Sequence, residues 1–180
     1  MITSKILTPQ IQALPSELQS TVKSRLENWL THIDAANLNP ETSANFVDSI
    51  AKVWCCSEFV AESCSRKPDL LMELVNSGDL SSSYAPTAYK TKLAELTITD
   101  EADLSTQLRQ FRCREMVRIA WRDLAGWADL AETLMELSQL ADACIQYALA
   151  FLYQQACELR GTPLLPMVAH SKWLSWAWVS

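Results

Sequence analysis

Residues 129–160 read DLAETLMELSQLADACIQYALAFLYQQACELR, and within them Leu130, Leu134, Leu137, Ala141, Cys144, Ala148 and Phe151 recur at alternating spacings of four and three. That period belongs to an α-helix with one apolar stripe. At 1.5 Å per residue the run would extend roughly 48 Å. Gly161 and Pro163 then supply its stop. Immediately upstream, Thr99-Asp100-Glu101 offers a cap and first-turn acids for a second long helix, which runs to about Gly126 with Leu104, Leu108 and Phe111 on its apolar face. No window shows period-two alternation, so the expected fold is all-α, an antiparallel bundle-like arrangement ending in one long helix.

Further toward the N-terminus the helices shorten. Residues 1–15 read as a short leader whose apolar run is cut by Pro9. Residues 16–78 read as the N-terminal helices. In the first, Leu18, Val22, Leu26, Trp29 or Leu30, and Ile33 recur at helical spacing, with Ser16 as the N-cap. A second stretch runs from about Thr42 through Phe46, Ile50, Val53 and Trp54, with a break near Ser57. Pro68 suits a first helical turn, and Gly78 ends the short helix of Leu70, Leu71, Leu74 and Val75. Residues 79–98 form a loop and connecting helix, 99–163 the two long helices, and 164–180 a tail apart.

The 180 residues carry 15 basic and 21 acidic side chains for a net charge of −6, with 49% apolar residues and three glycines. An acidic balance argues against a general nucleic-acid binder, because phosphate neutralisation needs a concentrated basic surface. Gly78, Gly126 and Gly161 are isolated, so no stretch can wrap a phosphate. The six cysteines, Cys55, Cys56, Cys64, Cys113, Cys144 and Cys157, include no C-x-x-C pair, and only His32 and His170 stand beside them. A structural zinc site, with its close ligand clusters, is therefore not expected. No apolar run approaches the roughly 20 residues of a membrane span. These signs place the chain in a reducing cytoplasm, with its cysteines as small core residues. His32 reads as a partly exposed structural histidine. Ser57-Glu58 and the acids of residues 100–103 read as helix-start residues serving the macrodipole.

The segment Arg109 to Asp123, RQFRCREMVRIAWRD, is the exception to this bland composition. Extending the face of Leu104, Leu108 and Phe111 by helical spacing lands on Glu115, Arg118 and Arg122, so charge stands where core should continue. Two readings follow for Arg114, Arg118, Arg122 and Asp123. Either the arginines pair with Glu115, Asp123 or acids on neighbouring helices and orient the packing, or their guanidinium forks dock an acidic partner or a phosphate. No catalytic, cofactor-binding or metal-binding residue is expected, because nothing assembles a nucleophile with a base and an orienting group.

The stretch from Leu108 to Leu124 resembles the L-R-x-F-R-x-R-x-M-x-R-I-A-x-R-D-L signature of the bacterial glutamine synthetase adenylyltransferase and adenylyl-removing enzymes. The likeness extends through Glu132-Thr133-Leu134, Leu140-Ala141-Asp142, Leu152-Tyr153 and Arg160-Gly161-Thr162-Pro163. More weakly it reaches back to Ser57-Glu58-Phe59-Val60 and Pro68-Asp69-Leu70-Leu71. In that family such helices precede a nucleotidyltransferase domain whose G-x-G-K-L-G-G loop and D-x-D carboxylates bind ATP phosphates and magnesium. The resemblance implies control of glutamine synthetase by reversible AMP attachment, with glutamine synthetase and a nitrogen-signalling PII protein as partners and no nucleic acid or membrane. This chain lacks both motifs, so the expectation is an N-terminal helical part without the catalytic groups, inactive alone and binding no cofactor itself. A free-standing helical module that docks through its arginine-rich helix is the alternative.

Three of the seven tryptophans, Trp173, Trp176 and Trp178, fall after the last matching position. Tryptophan has a single codon. Reading from the third base of each codon, Trp176-Ala177 and Trp178-Val179 must give a Gly-x-Gly. Residues 164–180 are accordingly expected to be a frameshifted reading of the family's phosphate loop.

Overall fold

The computed structural model describes residues 4–33 and 40–162, and every regular element among them is a helix. The all-α expectation holds. Two compact units divide the chain, residues 1–144 and residues 145–180. The helices are α1 (Ser4–Gln12), α2 (Ser16–His32), α3 (Pro40–Cys56), α4 (Glu58–Arg66), α5 (Pro68–Asn76), α6 (Ala88–Ala94), α7 (Glu101–Ala125) and α8 (Leu130–Arg160). The tail from 164 onward, with its expected change of frame, lies outside the described residues.

Local chemistry explains most boundaries. The Ser57 hydroxyl accepts from the Val60 amide at 3.3 Å and separates α3 from α4. Pro68 opens α5, and Gly78 at φ +76° turns the chain out of it while the Leu80 amide returns to the Leu74 carbonyl at 3.0 Å. Asp100 caps α7 by accepting from the Asp103 amide at 2.8 Å, and Gly126 at φ +79° ends it. Asp129 does the same for α8 through the Glu132 amide, also at 2.8 Å.

Three expectations change. The leader contains α1, which packs on α2 and α3, buries Leu7 and ties Gln10 Nε2 to Asp48 Oδ1 at 3.0 Å. Pro9 hides this helix from a pattern reading, and its packing on α2 and α3, with Leu7 buried, offsets the lost backbone bond. Ser16 is not the cap of α2: Pro15 is already extended (φ −51°, ψ 134°) and takes the boundary, which puts Ser16 inside the first turn. Leu18 stays exposed, and Val22, Leu26 and Trp29 alone are the buried residues of that helix. In α8 the stripe read from sequence is not the packed face. Leu130 and Leu134 are 69% and 55% exposed, whereas Glu136, Leu140 and Ala143 are buried. Glu136 pairs with a buried arginine of α7, which sets the rotation of the helix against its neighbours.

The core of the first unit is built on an aromatic chain. Trp29 meets Phe46 and Trp54 edge-on at centroid distances of 6.3 and 6.0 Å, and Phe46 stacks on Trp121 at 5.4 Å. The Trp121 indole donates to the buried Ser49 hydroxyl at 3.0 Å. Val117 and Trp121 bring α7 into this core, so one side of that helix is fixed by apolar packing before its charges are placed.

Candidate functional site

On α7 the stripe of Leu104 and Phe111 passes, as the spacing predicts, into charged side chains without leaving the interior. Glu115, Arg118 and Arg122 are 0%, 0% and 3% exposed. Arg118 Nη1 and Nη2 donate to Glu136 Oε2 and Oε1 at 2.7 and 2.8 Å. The same guanidinium reaches two backbone carbonyls, Nε to Asp79 at 3.0 Å and Nη2 to Ser82 at 2.8 Å, and lies over the Tyr84 ring at 3.4 Å from its centroid. Glu136 Oε1 in turn accepts from the Tyr84 amide at 3.2 Å. One arginine thus fastens α7 to α8 and to the loop that follows α5.

Its neighbours repeat the device. Arg122 Nη2 donates to Glu132 Oε1 at 2.6 Å, and Arg114 donates to Glu115 and, at 2.6 Å, to Asp79 Oδ2. Lys92 on α6 reaches that same Asp79 oxygen at 2.9 Å. The fourth residue singled out from sequence, Asp123, is exposed and accepts from the Thr133 hydroxyl at 3.3 Å. Arg118 with Glu136 and Arg122 with Glu132 are nested pairs about Trp127. Nested pairs are the register of an antiparallel helix pair.

Burial works against the charge of Asp79, but hydrogen bonds from Arg114 and Lys92 outweigh it and hold the carboxyl at about 2. For Glu136 burial again opposes ionisation, and the Arg118 hydrogen bonds leave it below the usual glutamate value. Glu115 goes the other way: burial raises it, and Arg114 and Arg118 compensate only in part. Two guanidinium nitrogens of Arg122, Nε and Nη1, have no hydrogen-bond partner, and neither does Glu115 Oε2. This is the arrangement of a packing clamp. It holds two helices and a loop in one geometry, and it presents no base next to a nucleophile.

Beside the clamp lies a cavity of about 490 Å³ bordered by Arg66, Lys67, Leu70, Gln110, Phe111 and Arg114. Asp69 and Glu73 also border it, so its wall carries both signs of charge. Among the described residues no group of three or more His, Cys, Asp or Glu side chains is placed to hold a metal ion, and no helix is long and apolar enough to cross a membrane. His32 is exposed, with Nδ1 2.7 Å from the Asn28 carbonyl. The cysteines depart from the expected core role: Cys64 is buried, Cys56 is exposed, and Cys55, Cys113, Cys144 and Cys157 are intermediate. Successive helix positions face different directions, which is why Cys55 and Cys56 differ.

Sequence reasoning placed Arg114, Arg118 and Arg122 but missed their partners Asp79, Glu132 and Glu136, as well as Tyr84 and the Lys92 that shares Asp79. A signal for the acids existed: Glu132 and Glu136 are spaced by four, as Arg118 and Arg122 are, in mirrored order across a turn. For the carbonyls of Asp79 and Ser82 no side-chain signal exists.

The family model described as glutamate-ammonia ligase adenylyltransferase matches residues 47–171, which takes in the whole clamp and runs into the tail. Among curated relatives, the bifunctional glutamine synthetase adenylyltransferase/adenylyl-removing enzyme of Nitrosococcus oceani is 44% identical over 155 residues, 85% of this chain and 16% of the relative. Its counterpart in Pseudomonas aeruginosa is 37% identical over 156 residues, 86% of this chain and 15% of the relative. That of Pseudomonas syringae pv. tomato is 33% identical over 164 residues, 86% and 16%. The chain therefore spans about one sixth of the length of these relatives. No solved structure matches.

Proposed function

Because the chain belongs to the glutamate-ammonia ligase adenylyltransferase family, we propose that it is the helical part of such an enzyme, a rigid frame that carries no group reacting with AMP. The observation behind this reading is the engagement of Arg118. Its guanidinium is fully buried and taken up by Glu136, two loop carbonyls and the Tyr84 ring. A family signature built around such a residue serves packing, and the docking alternative finds no exposed guanidinium at Arg118 or Arg122.

In this reading the partners are those of the longer enzymes, glutamine synthetase and a PII-type nitrogen signal, without nucleic acid or membrane, in the cytoplasm. ATP and magnesium act on residues of a longer family chain rather than on these helices. The tail, expected at 164–180 to be a change of frame, is matched by the family in the present frame to residue 171, so the change of frame is read only beyond that residue, where the obligatory Gly-x-Gly of Trp176 to Val179 supports it. Sequencing the encoding DNA decides that point: the second frame must continue into G-x-G-K-L-G-G.

The test of function uses the purified chain with glutamine synthetase, ATP and magnesium, and separately with AMP-modified glutamine synthetase and phosphate. Phosphoryl transfer depends on positioned phosphates and neutralising charge. Neither transfer nor removal of AMP above a blank is expected. Turnover that is lost on a substitution within this chain overturns the reading.

A further inference from the structure

Glu115 is fully buried, yet only half of its carboxylate is used. Oε1 accepts from Arg114, whereas Oε2 has no hydrogen-bond partner, and neither the Tyr84 nor the Tyr89 hydroxyl supplies one. As an anion such a group is costly, because its idle oxygen has neither water nor a donor. The neutral acid carries the opposite penalty. Arg118 with Glu136 and Arg122 with Glu132 close their own pairs, which leaves Arg114 and Lys92 to Asp79 and Glu115. Without the Glu115 charge one cation is in excess. Both forms are therefore within reach, and burial tips the balance toward the proton, since Arg114, Arg118 and Lys92 offset only part of it.

The loop between α5 and α6 meets this group through Arg114 and Tyr84. Leu80 is the one buried residue among 79–87, so few apolar contacts hold the loop down. Its attachments are Asp79 to Arg114, the Asp79 and Ser82 carbonyls to Arg118, and the Tyr84 amide to Glu136. We propose that Glu115 is a proton-operated latch for this loop: with a proton on Oε2 the loop stays closed on α7, and release of that proton to solvent favours opening, which lets water reach the carboxylate. Arg114 is the link, because it forks between Glu115 and Asp79 and an ionised Glu115 competes for it. The other groups that face Glu115 do not change charge with it. Arg118 and Lys92 are engaged by Glu136 and Asp79, and burial keeps Tyr84, Tyr89 and Cys144 of α8 in their neutral forms. All of these residues lie in the first compact unit, so the latch is complete within residues 79–144. It holds or fails whether or not the chain handles AMP.

Amide hydrogen exchange of the full chain from about pH 4 to about pH 8 reads the latch. The Tyr84 amide, bonded to Glu136 at 3.2 Å, reports the loop, and the Val53 and Trp54 amides of α3 report the core. With intrinsic rates divided out, Tyr84 is expected to exchange faster than the core amides. The closed form holds the proton more tightly than the open one, so the opening constant is expected to rise with pH above the ordinary glutamate value of about 4.3. One proton limits that rise to about tenfold per pH unit. Glu115→Gln keeps the shape without the charge and is expected to abolish the dependence, leaving Tyr84 as protected as it is in the parent at the acid end. Carbon-13 labelling of glutamate carboxyls gives a second readout in the unsubstituted chain, where one carboxyl is expected to titrate above the ordinary range. Exchange of Tyr84 only in step with the core, a constant opening equilibrium, the same pH dependence in Glu115→Gln, or no glutamate titrating above that range each overturns the proposal.

Discussion

Arg118 grips Glu136 with two parallel hydrogen bonds of 2.7 and 2.8 Å while both side chains are almost wholly removed from water. A buried pair of this kind adds little over an apolar pair, but removing one member strands the other. Arg118→Met is therefore expected to lower stability by about 3 kcal/mol or more. Arg109→Met, at an exposed position, is expected to cost at most about 1 kcal/mol. Urea midpoints of the two variants provide the comparison, and equal midpoints contradict the clamp. Arg118→Lys should resemble the methionine variant, because an ammonium cannot reach a carboxylate and two carbonyls in the same plane.

Asp79 supplies a pH dependence of known sign. Its folded carboxyl lies at about 2, below the unfolded value near 3.9. The folded state thus holds its proton more weakly. This contribution to stability is complete above the unfolded value and disappears as pH falls through the folded one. It amounts to about 2 kcal/mol. The stability difference between the parent chain and Asp79→Asn is expected to shrink between about pH 4 and pH 2. A difference that stays constant across that window removes Asp79 from the network.

Thiol labelling separates the cysteines. Burial, helped by the nearby Cys113, pushes the Cys64 thiol up to about 12, so it offers neither thiolate nor access at neutral pH. Cys56 is exposed. A maleimide is expected to modify Cys56 promptly, and Cys64 only when the chain unfolds. Peptide mapping after a timed pulse shows the order, and early labelling of Cys64 contradicts the packing of α4 against α7.

Gly126 terminates α7 at φ +79°, and a Cβ placed there meets nothing within 4 Å. Gly126→Ala consequently pays only for left-handed backbone, about 1 kcal/mol. A much larger loss in thermal or urea unfolding means that the turn before α8 is tighter than described.

These consequences rest on features that were legible to different depths. The position of Arg118 and Arg122 inside the protein follows from the stripe of Leu104 and Phe111, because a long helix with regular spacing leaves no other face for them. The caps at Ser57 and Asp100 and the stops at Gly78, Gly126 and Gly161 are local chemistry, readable from a few residues. The partners were not. Glu132 and Glu136 lie in a helix whose leucine stripe suggested another packed face, and only the ion pairs reveal the rotation that was adopted. Helix α1 was hidden by Pro9, since a tertiary contact at Leu7 decides it. The loop from Asp79 to Tyr84 contributes carbonyls, which every residue possesses and no sequence marks.

Trp29, Phe46, Trp54 and Trp121 have an optical consequence. Three indoles held in a fixed chiral arrangement with a bridging phenyl ring give near-ultraviolet circular dichroism that exists only while α2, α3 and α7 are packed. Far-ultraviolet dichroism follows the helices themselves, including the long α8. The chain therefore carries two separable spectroscopic channels, and loss of the first with retention of the second identifies a state whose helices survive after their aromatic junction has come apart.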